Sequence, residues 1–264
     1  MERVEQLFNA LWQDYTQRLC PSAAKVHDLL TEDEPLLNDH IALRTFNLPK
    51  VGLDKLAAPF IAIGYKPCGK YHFEAKKLYA EHFEHPNPLA PKVFISELLL
   101  GQCSSLLQET VRGLVDQIPE LAIHDPEFVC CGRLWDIDSA TYEMLSAESE
   151  YAGWVAAHGF GANHFTVSIN QLEQFTEIRE VNHLLRHNGF AINEAGGEVK
   201  GGPEVMLEQS ATMADKVAVD FLDGEKIIPG GFYEFAKRYP QANGELFRGF
   251  VEASADKIFE STSE

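Results

Sequence analysis

Positive charge is scarce. Twenty-two Lys and Arg face 40 Asp and Glu, which leaves a formal charge of −18 at pH 7 and a pI near 4.9. A nucleic-acid binder needs a basic surface to displace counterions from phosphate, and a protein held on anionic lipid needs a polybasic face. Neither partner is expected. Long apolar runs are missing too: no stretch approaches the roughly 20 residues of a membrane span. The opening MERVEQLFNALWQDY carries acids in a helical apolar rhythm instead of a basic flank and a short apolar core, so no signal peptide is expected. Cysteine is sparse and odd in number: Cys20, Cys68, Cys103, Cys130 and Cys131, with no pair at the two-residue gap of a zinc knuckle or redox motif. The adjacent Cys130 and Cys131 allow a strained vicinal disulfide, but buried, reduced thiols in a cytoplasmic protein are the expectation.

What remains is ordinary globular material, 45% hydrophobic and 23% charged over 264 residues. At about 100–200 residues per domain this is one large domain or two small ones; a single domain over residues 1–264 is expected. Val4, Leu7, Phe8, Leu11, Trp12 and Tyr15 predict an amphipathic first helix, and Cys103, Leu106, Leu107, Thr110, Val111, Leu114, Val115 and Ile118 repeat its rhythm. Further helices are expected between about Ser139 and Ala157 and over Leu246–Phe259, where Leu246, Phe247, Phe250 and Val251 share a stripe. The helical segments thus fall at about 1–30, 101–158 and 244–260.

Between them lies a weak internal repeat, over about 36–100 and 160–238. Asp39-His40 opens the strand-like run HIALRTF, and Asn163-His164 opens HFTVSIN. A helical segment follows each, carrying Leu53, Leu56 and Phe60 in the first copy and Leu172, Phe175, Ile178 and Leu185 in the second. Both reach a Gly–aromatic pair suited to a helix C-terminus, Gly64-Tyr65 and Gly189-Phe190, 24 residues beyond His40 and 25 beyond His164. Each copy then closes on a strand with a carboxylate among apolar residues, Val-Phe-Ile-Ser-Glu97-Leu and Gly-Phe-Tyr-Glu234-Phe.

Strand side chains alternate. His40, Ala42 and Arg44 therefore share one face, as do His164, Thr166 and Ser168, and Glu234 shares a face with Phe232 and Ala236. Two modules paired about a pseudo-twofold axis would bring His40, His164 and Glu234 to one cavity. Two imidazoles and one carboxylate make the facial triad of non-haem Fe(II) oxygenases, whose open positions suit a 2-oxo acid and dioxygen. Arg44 lies about 13 Å along its strand from His40, placed to offer a planar fork to a carboxylate. Glu97, read as the counterpart of Glu234, is open to three roles: fourth ligand, partner orienting His40, or buried acid. His72 and His82, in YHFEAKKLYAEHFEH, are expected on a solvated strand face.

The runs NDHIALRTF, PKVFISELL, GANHFTVSI, LEQSATMAD and IPGGFYEFAKR resemble the 2-oxoadipate dioxygenase/decarboxylase family over about residues 30–240. That family is related to the vicinal-oxygen-chelate proteins, so the resemblance implies an α+β fold of paired βαβββ modules forming a cupped mixed sheet around a metal. It implies Fe(II) on His40, His164 and Glu234, with Arg44 gripping the substrate. GFYEFAKR is also similar to the last metal-ligand strand of the 4-hydroxyphenylpyruvate dioxygenases. Lys77, Gln209 and Ser210 lie in matching blocks and are carried over as substrate-binding candidates. The implied reaction turns 2-oxoadipate and dioxygen into 2-hydroxyglutarate and carbon dioxide, a step of lysine breakdown, without an organic cofactor. Two alternatives stand beside it. One is a glyoxalase-type isomerase or hydrolase with Glu97 as fourth ligand to Zn²⁺ or Ni²⁺; the other is a non-enzymatic module that binds a small molecule. Oligomeric state is not legible.

Overall fold

The computed structural model describes residues 2–31 and 36–262. Helix α1 (Glu2–Asp14) buries the stripe Val4, Leu7, Phe8 and Leu11 at three- and four-residue spacing. One π turn, Tyr15–Leu19, and α2 (Ser22–Leu30) follow. The first half of the sheet comprises β1 (Asn38–Phe46), α3 (Leu53–Ala62), β2 (Lys66–Phe73), β3 (Leu78–Glu84) and β4 (Lys92–Leu98). Helix α4 (Ser105–Asp116) starts at Ser104, whose hydroxyl accepts from the Leu107 N–H.

The helix expected over Ser139–Ala157 is two helices, α5 (Ser139–Glu148) and α6 (Glu150–His158). Ser149 between them is extended (φ −148°, ψ 107°), and its hydroxyl caps α6 by accepting from the Ala152 N–H. The second half runs β5 (Ala162–Ser168), α7 (Ile178–His187), β6 (Lys200–Gly202) and β7 (Leu207–Ala211). A separate hairpin, β8 (Lys216–Phe221) and β9 (Gly224–Pro229), precedes the last strand, β10 (Phe232–Arg238). Leu172 and Phe175 fall in the connection before α7 rather than in the helix. The final helix α8 spans only Glu252–Ile258. Leu246, Phe247 and Phe250 lie in irregular chain before it, where Arg238 Nη1 donates to the Phe247 and Gly249 carbonyls. Those carbonyls are claimed from outside, and no helix includes them.

The sheet order is β2-β3-β4-β1-β5-β10-β7-β6. In each half the first strand lies parallel to the last, β1 with β4 and β5 with β10, and the two halves meet where β1 pairs antiparallel with β5. This is the expected pair of βαβββ modules in one mixed sheet. The backbone repeats as well. Lys77 (φ 57°) and Met206 (φ 60°), the two non-glycine residues with positive φ among those described, each stand just before the third strand of a half. Helix α8 packs against β2, β6 and β7, so it touches both edge strands and bridges the mouth of the cup. Among the described residues no helix is long and apolar enough to cross a membrane.

All five cysteines are free, but only Cys20 and Cys103 are buried; Cys68 and Cys131 are exposed, contrary to the expectation of buried thiols. The buried His158 on α6 donates its Nε2–H to the Pro229 carbonyl at 2.8 Å, and burial pushes its pKa from 6.5 down to about 3. The unfolded chain therefore takes up a proton below pH 6.5 that the folded chain refuses. Stability should fall as pH drops from 6.5 towards 3, by up to about 1.4 kcal/mol per pH unit from this group. His158→Gln, which keeps the donor and cannot titrate, should flatten that slope in urea denaturation at stepped pH. An unchanged slope would show that His158 does not carry the effect.

Candidate metal centre

Three neighbouring central strands deliver one residue each. His40 lies on β1, His164 on β5 and Glu234 on β10, and Thr166 of β5 pairs with both His40 and Glu234 across the ladders. Their ligand atoms all lie within 4.8 Å of one another. His164 Nε2 is 3.1 Å from Glu234 Oε2, and His40 Nε2 is 3.6 Å from Oε1. All three side chains are buried.

The preceding residue in each strand orients its histidine. His40 Nδ1 is 2.8 Å from Asp39 Oδ1, and His164 Nδ1 is 3.1 Å from Asn163 Oδ1. Both Nδ1 atoms face oxygen acceptors, which assigns the ring proton there; the His164 Nε2 lone pair then faces Glu234, and that of His40 meets the Thr166 hydroxyl at 3.1 Å with the Glu234 carboxylate just beyond. Asp39 is itself clamped by the buried Arg238, Nε to Oδ2 at 2.7 Å and Nη2 to Oδ1 at 2.9 Å. Gln209 Nε2 donates to Glu234 Oε1 at 2.6 Å. The carboxylate that stands beside both imidazoles is thus held from behind, as is His40.

Burial raises the Glu234 pKa, yet His40, His164 and Gln209 outweigh it and leave the carboxyl below its usual range. Burial lowers His164, with Glu234 partly offsetting. Asp39 lies well below the usual carboxylate range, since Arg238, Lys92 and His40 overcome its burial. Glu234 Oε2 is a buried oxygen with no hydrogen-bond partner. An orphaned carboxylate oxygen facing the His164 lone pair, with His40 at the other oxygen, is a mismatch that a cation resolves. The residues fit a metal ion, and two nitrogens with one oxygen fit a facial-triad metal.

The sequence profile of a family described as 2-oxoadipate dioxygenase/decarboxylase matches residues 2–124 and 127–245. The chloroplastic 2-oxoadipate dioxygenase/decarboxylase of Arabidopsis thaliana is 37% identical over 270 residues, covering 92% of this chain and 73% of that protein. The chain belongs to the 2-oxoadipate dioxygenase/decarboxylase family. The crystal structure of the Oryza sativa hydroxyglutarate synthase in complex with 2-oxoadipate superimposes with a TM-score of 0.91 at 31% identity, over 98% of this chain and 91% of that one. A Shewanella frigidimarina structure with a provisional hydrolase label is 59% identical, TM-score 0.91, over 95% of this chain and 98% of that one. A dioxygenase family implies a metal, and the trio is where this member offers a place for one.

Other residues expected at the site of this family member are spread out. Gln209 lines the cavity at the trio. Ser210, next along β7, faces the other way and donates to Asn182 Oδ1 of α7 at 2.8 Å. Lys77 is the left-handed residue before β3, away from the cavity lining, with Cys103 among its neighbours. Glu97 is not the counterpart of Glu234. Ala42, two residues past His40, pairs with Phe94, just as Thr166, two past His164, pairs with Glu234. Phe94 is the equivalent position, and it lines the same cavity. Glu97 instead accepts from the Leu53 N–H at 2.8 Å, at the start of α3. His82, expected on a solvated face, is buried.

Arg44 is buried as well, its guanidinium 5.1–5.7 Å from the rings of Tyr151, Trp154 and Phe259. Nη2 donates to Thr262 Oγ1 at 3.2 Å and Nη1 is paired with Glu150 Oε1 at 3.5 Å, while Nε has no partner. Phe259 also lines the cavity at the trio, together with Phe250, Ala255 and Ile258. Sequence reasoning missed these C-terminal closers, along with the Asp39–Arg238 clamp. The one available signal was that acid and amide, Asp39 and Asn163, precede the two histidines.

Proposed function

We propose that this chain uses Fe(II) held by His40, His164 and Glu234 to convert 2-oxoadipate and dioxygen into 2-hydroxyglutarate and carbon dioxide. The observation that carries the reading is the buried trio with its unsatisfied Glu234 oxygen, with the buried Arg44 further along the His40 strand and its Nε unsatisfied. When bound, Fe(II) supplies a chelation site for the carboxylate and keto oxygen of a 2-oxo acid, and a place where dioxygen is reduced at the expense of that acid. The protein does the rest. Asp39 and Asn163 hold the imidazole tautomers so that Nε2 is free to ligate. Gln209 occupies one oxygen of Glu234 and leaves the other for the metal. Arg44 offers Nε to a substrate carboxylate, and Nη1 by exchanging its Glu150 partner, its charge opposing a chain of net −18. Phe94, Phe250, Ile258 and Phe259 keep water from the reacting atoms.

The cavity beside the trio is about 20 Å³, room for about one water. A six-carbon diacid enters only if residues 250–259 swing outward, so the C-terminal segment acts as a cover. The four-ligand isomerase alternative needs Glu97, which serves α3 on the helix side of the sheet.

The test is anaerobic Fe(II) loading, then 2-oxoadipate and air. Oxygen uptake should match carbon dioxide and 2-hydroxyglutarate formed; an iron-loaded protein that consumes no oxygen refutes the reaction. Arg44→Met, which keeps the bulk under the three rings, should retain iron and raise KM by about 10- to 100-fold, the worth of a charge-assisted pair of roughly 1.5–3 kcal/mol. An unchanged KM removes Arg44 from the substrate site.

A further inference from the structure

A second trio of metal-ligating side chains lies outside this site and shares no residue with it. Cys68, His82 and Glu84 present a sulfur, an imidazole nitrogen and a carboxylate oxygen within 4.8 Å of one another. The pairing of β2 with β3 shifts register between Pro67 and Gly69, which makes Cys68 the extra residue of a bulge. Bulges re-aim side chains, and this one faces two residues that share a face of β3.

The neighbourhood is built around the histidine. A Cβ at Gly69 would stand 2.7 Å from both His82 Nδ1 and the Tyr71 hydroxyl, so glycine here is what lets the ring lie against β2. The Tyr71 hydroxyl is 2.8 Å from Nδ1 and sets the ring, and Nε2 is turned to Glu84 Oε1 at 3.0 Å. Arg248 pairs with the other oxygen of Glu84. Burial pushes Glu84 up, but His82 and Arg248 outweigh it and hold the carboxyl at about 2, ionised and ready to ligate. His82 is buried and Cys68 exposed, so solvent reaches the cluster from the sulfur side.

We propose that Cys68, His82 and Glu84 bind a thiophilic divalent cation, Zn²⁺ best, with water as the fourth ligand. Sulfur, nitrogen and oxygen in one set suit tetrahedral Zn²⁺, and a thiolate with a carboxylate balances its charge. As the ion enters, the Cys68 proton passes to solvent and the His82 ring proton shifts from Nε2 to Nδ1, where the Tyr71 oxygen can accept it, and the sulfur gives up its present contact with the Lys66 carbonyl at 3.4 Å. The site stands one phenyl ring from the catalytic trio: Phe250 packs 5.3 Å from the His82 ring and 4.8 Å from the His40 ring.

The two trios differ in sulfur, which makes the test specific. Metal-free protein is titrated with Co²⁺, whose bond to thiolate gives a charge-transfer band in the near ultraviolet. Wild type should take up two ions and show the band. His164→Ala should lose the sulfur-free site and keep the band. Cys68→Ser should lose the band and weaken Zn²⁺ binding there by more than about 100-fold, beyond the usual cost of losing an outer partner. Cys68 is exposed, so this variant folds even where His164→Ala does not, and the comparison with wild type decides. A wild type without the band, or a Cys68→Ser protein with the full band, overturns the proposal. Either result leaves the Fe(II) reading untouched, because oxygen uptake is read separately.

Discussion

Glu234→Gln should abolish Fe(II) retention and oxygen uptake and also lower the stability of the apo chain. The two halves of that expectation come from the same geometry. Gln keeps the shape and can still meet the Gln209 side chain, but it removes the one negative charge among the three ligands. Losing an outer partner of a ligand typically costs about 10- to 100-fold in metal affinity or activity, and losing a charged ligand costs more than that. Without metal the charge still matters for stability. His40, His164 and Gln209 hold the carboxyl below its usual range despite burial, so the ionised side chain favours the folded state and the amide gives that up. Iron content by elemental analysis, together with melting of the apo form, separates the effects. Full iron with normal turnover would remove Glu234 from the centre. An apo protein that melts at or above wild type would mean that burial outweighs the partners of the carboxylate.

Asp39→Ala should be the most destabilising substitution near the site. Arg238 is buried, with two nitrogens on Asp39 and the third on the Phe247 and Gly249 carbonyls. Removing Asp39 leaves a buried guanidinium without its counter-charge, a loss of about 3–5 kcal/mol. It also frees the His40 ring, for a further 10- to 100-fold or so in metal affinity. Asp39→Asn divides these roles, since the amide oxygen can still accept from His40 Nδ1 while the charge is gone. It should approach the alanine variant in stability and stay nearer wild type in iron affinity. Asn163, which does this work for His164 without a charge, is the internal precedent. The pH dependence has a definite sign. Asp39 lies well below its ordinary value, so its contribution is complete above the unfolded carboxyl range and is lost only as pH falls through the depressed folded value. Equal stability of Asp39→Ala and wild type at neutral pH would refute the clamp.

The candidate trio was legible because its signal is local and periodic. Each histidine opens a strand whose alternation sets a face, and the repeat says that two such strands exist. Phe94 and Glu97 mark where legibility stopped. The motif seemed to pair Glu97 with Glu234, but equivalence follows ladder register, and register is not written in either strand alone. His82 was misread for a related reason: Phe250, 168 positions later in the chain, is part of what covers its ring. The Leu246–Phe259 stripe read as one helix, yet Arg238 holds carbonyls within it and only Glu252–Ile258 is helical.

From the sequence alone came the element types, the doubled module, the candidate ligands and the acidic character that argues against polyanionic partners. All of these depend on neighbours within a few residues or on composition. The tertiary structure alone decided that Glu97 stands apart from the histidines, what stands behind them, how the C-terminal segment covers Arg44 and the cavity, and that Cys68 meets His82 and Glu84. Those outcomes depend on which strand lies beside which and on contacts such as Asp39–Arg238, 199 residues apart. No pattern within one segment encodes a distance of that kind; it is set by the packing of the whole chain.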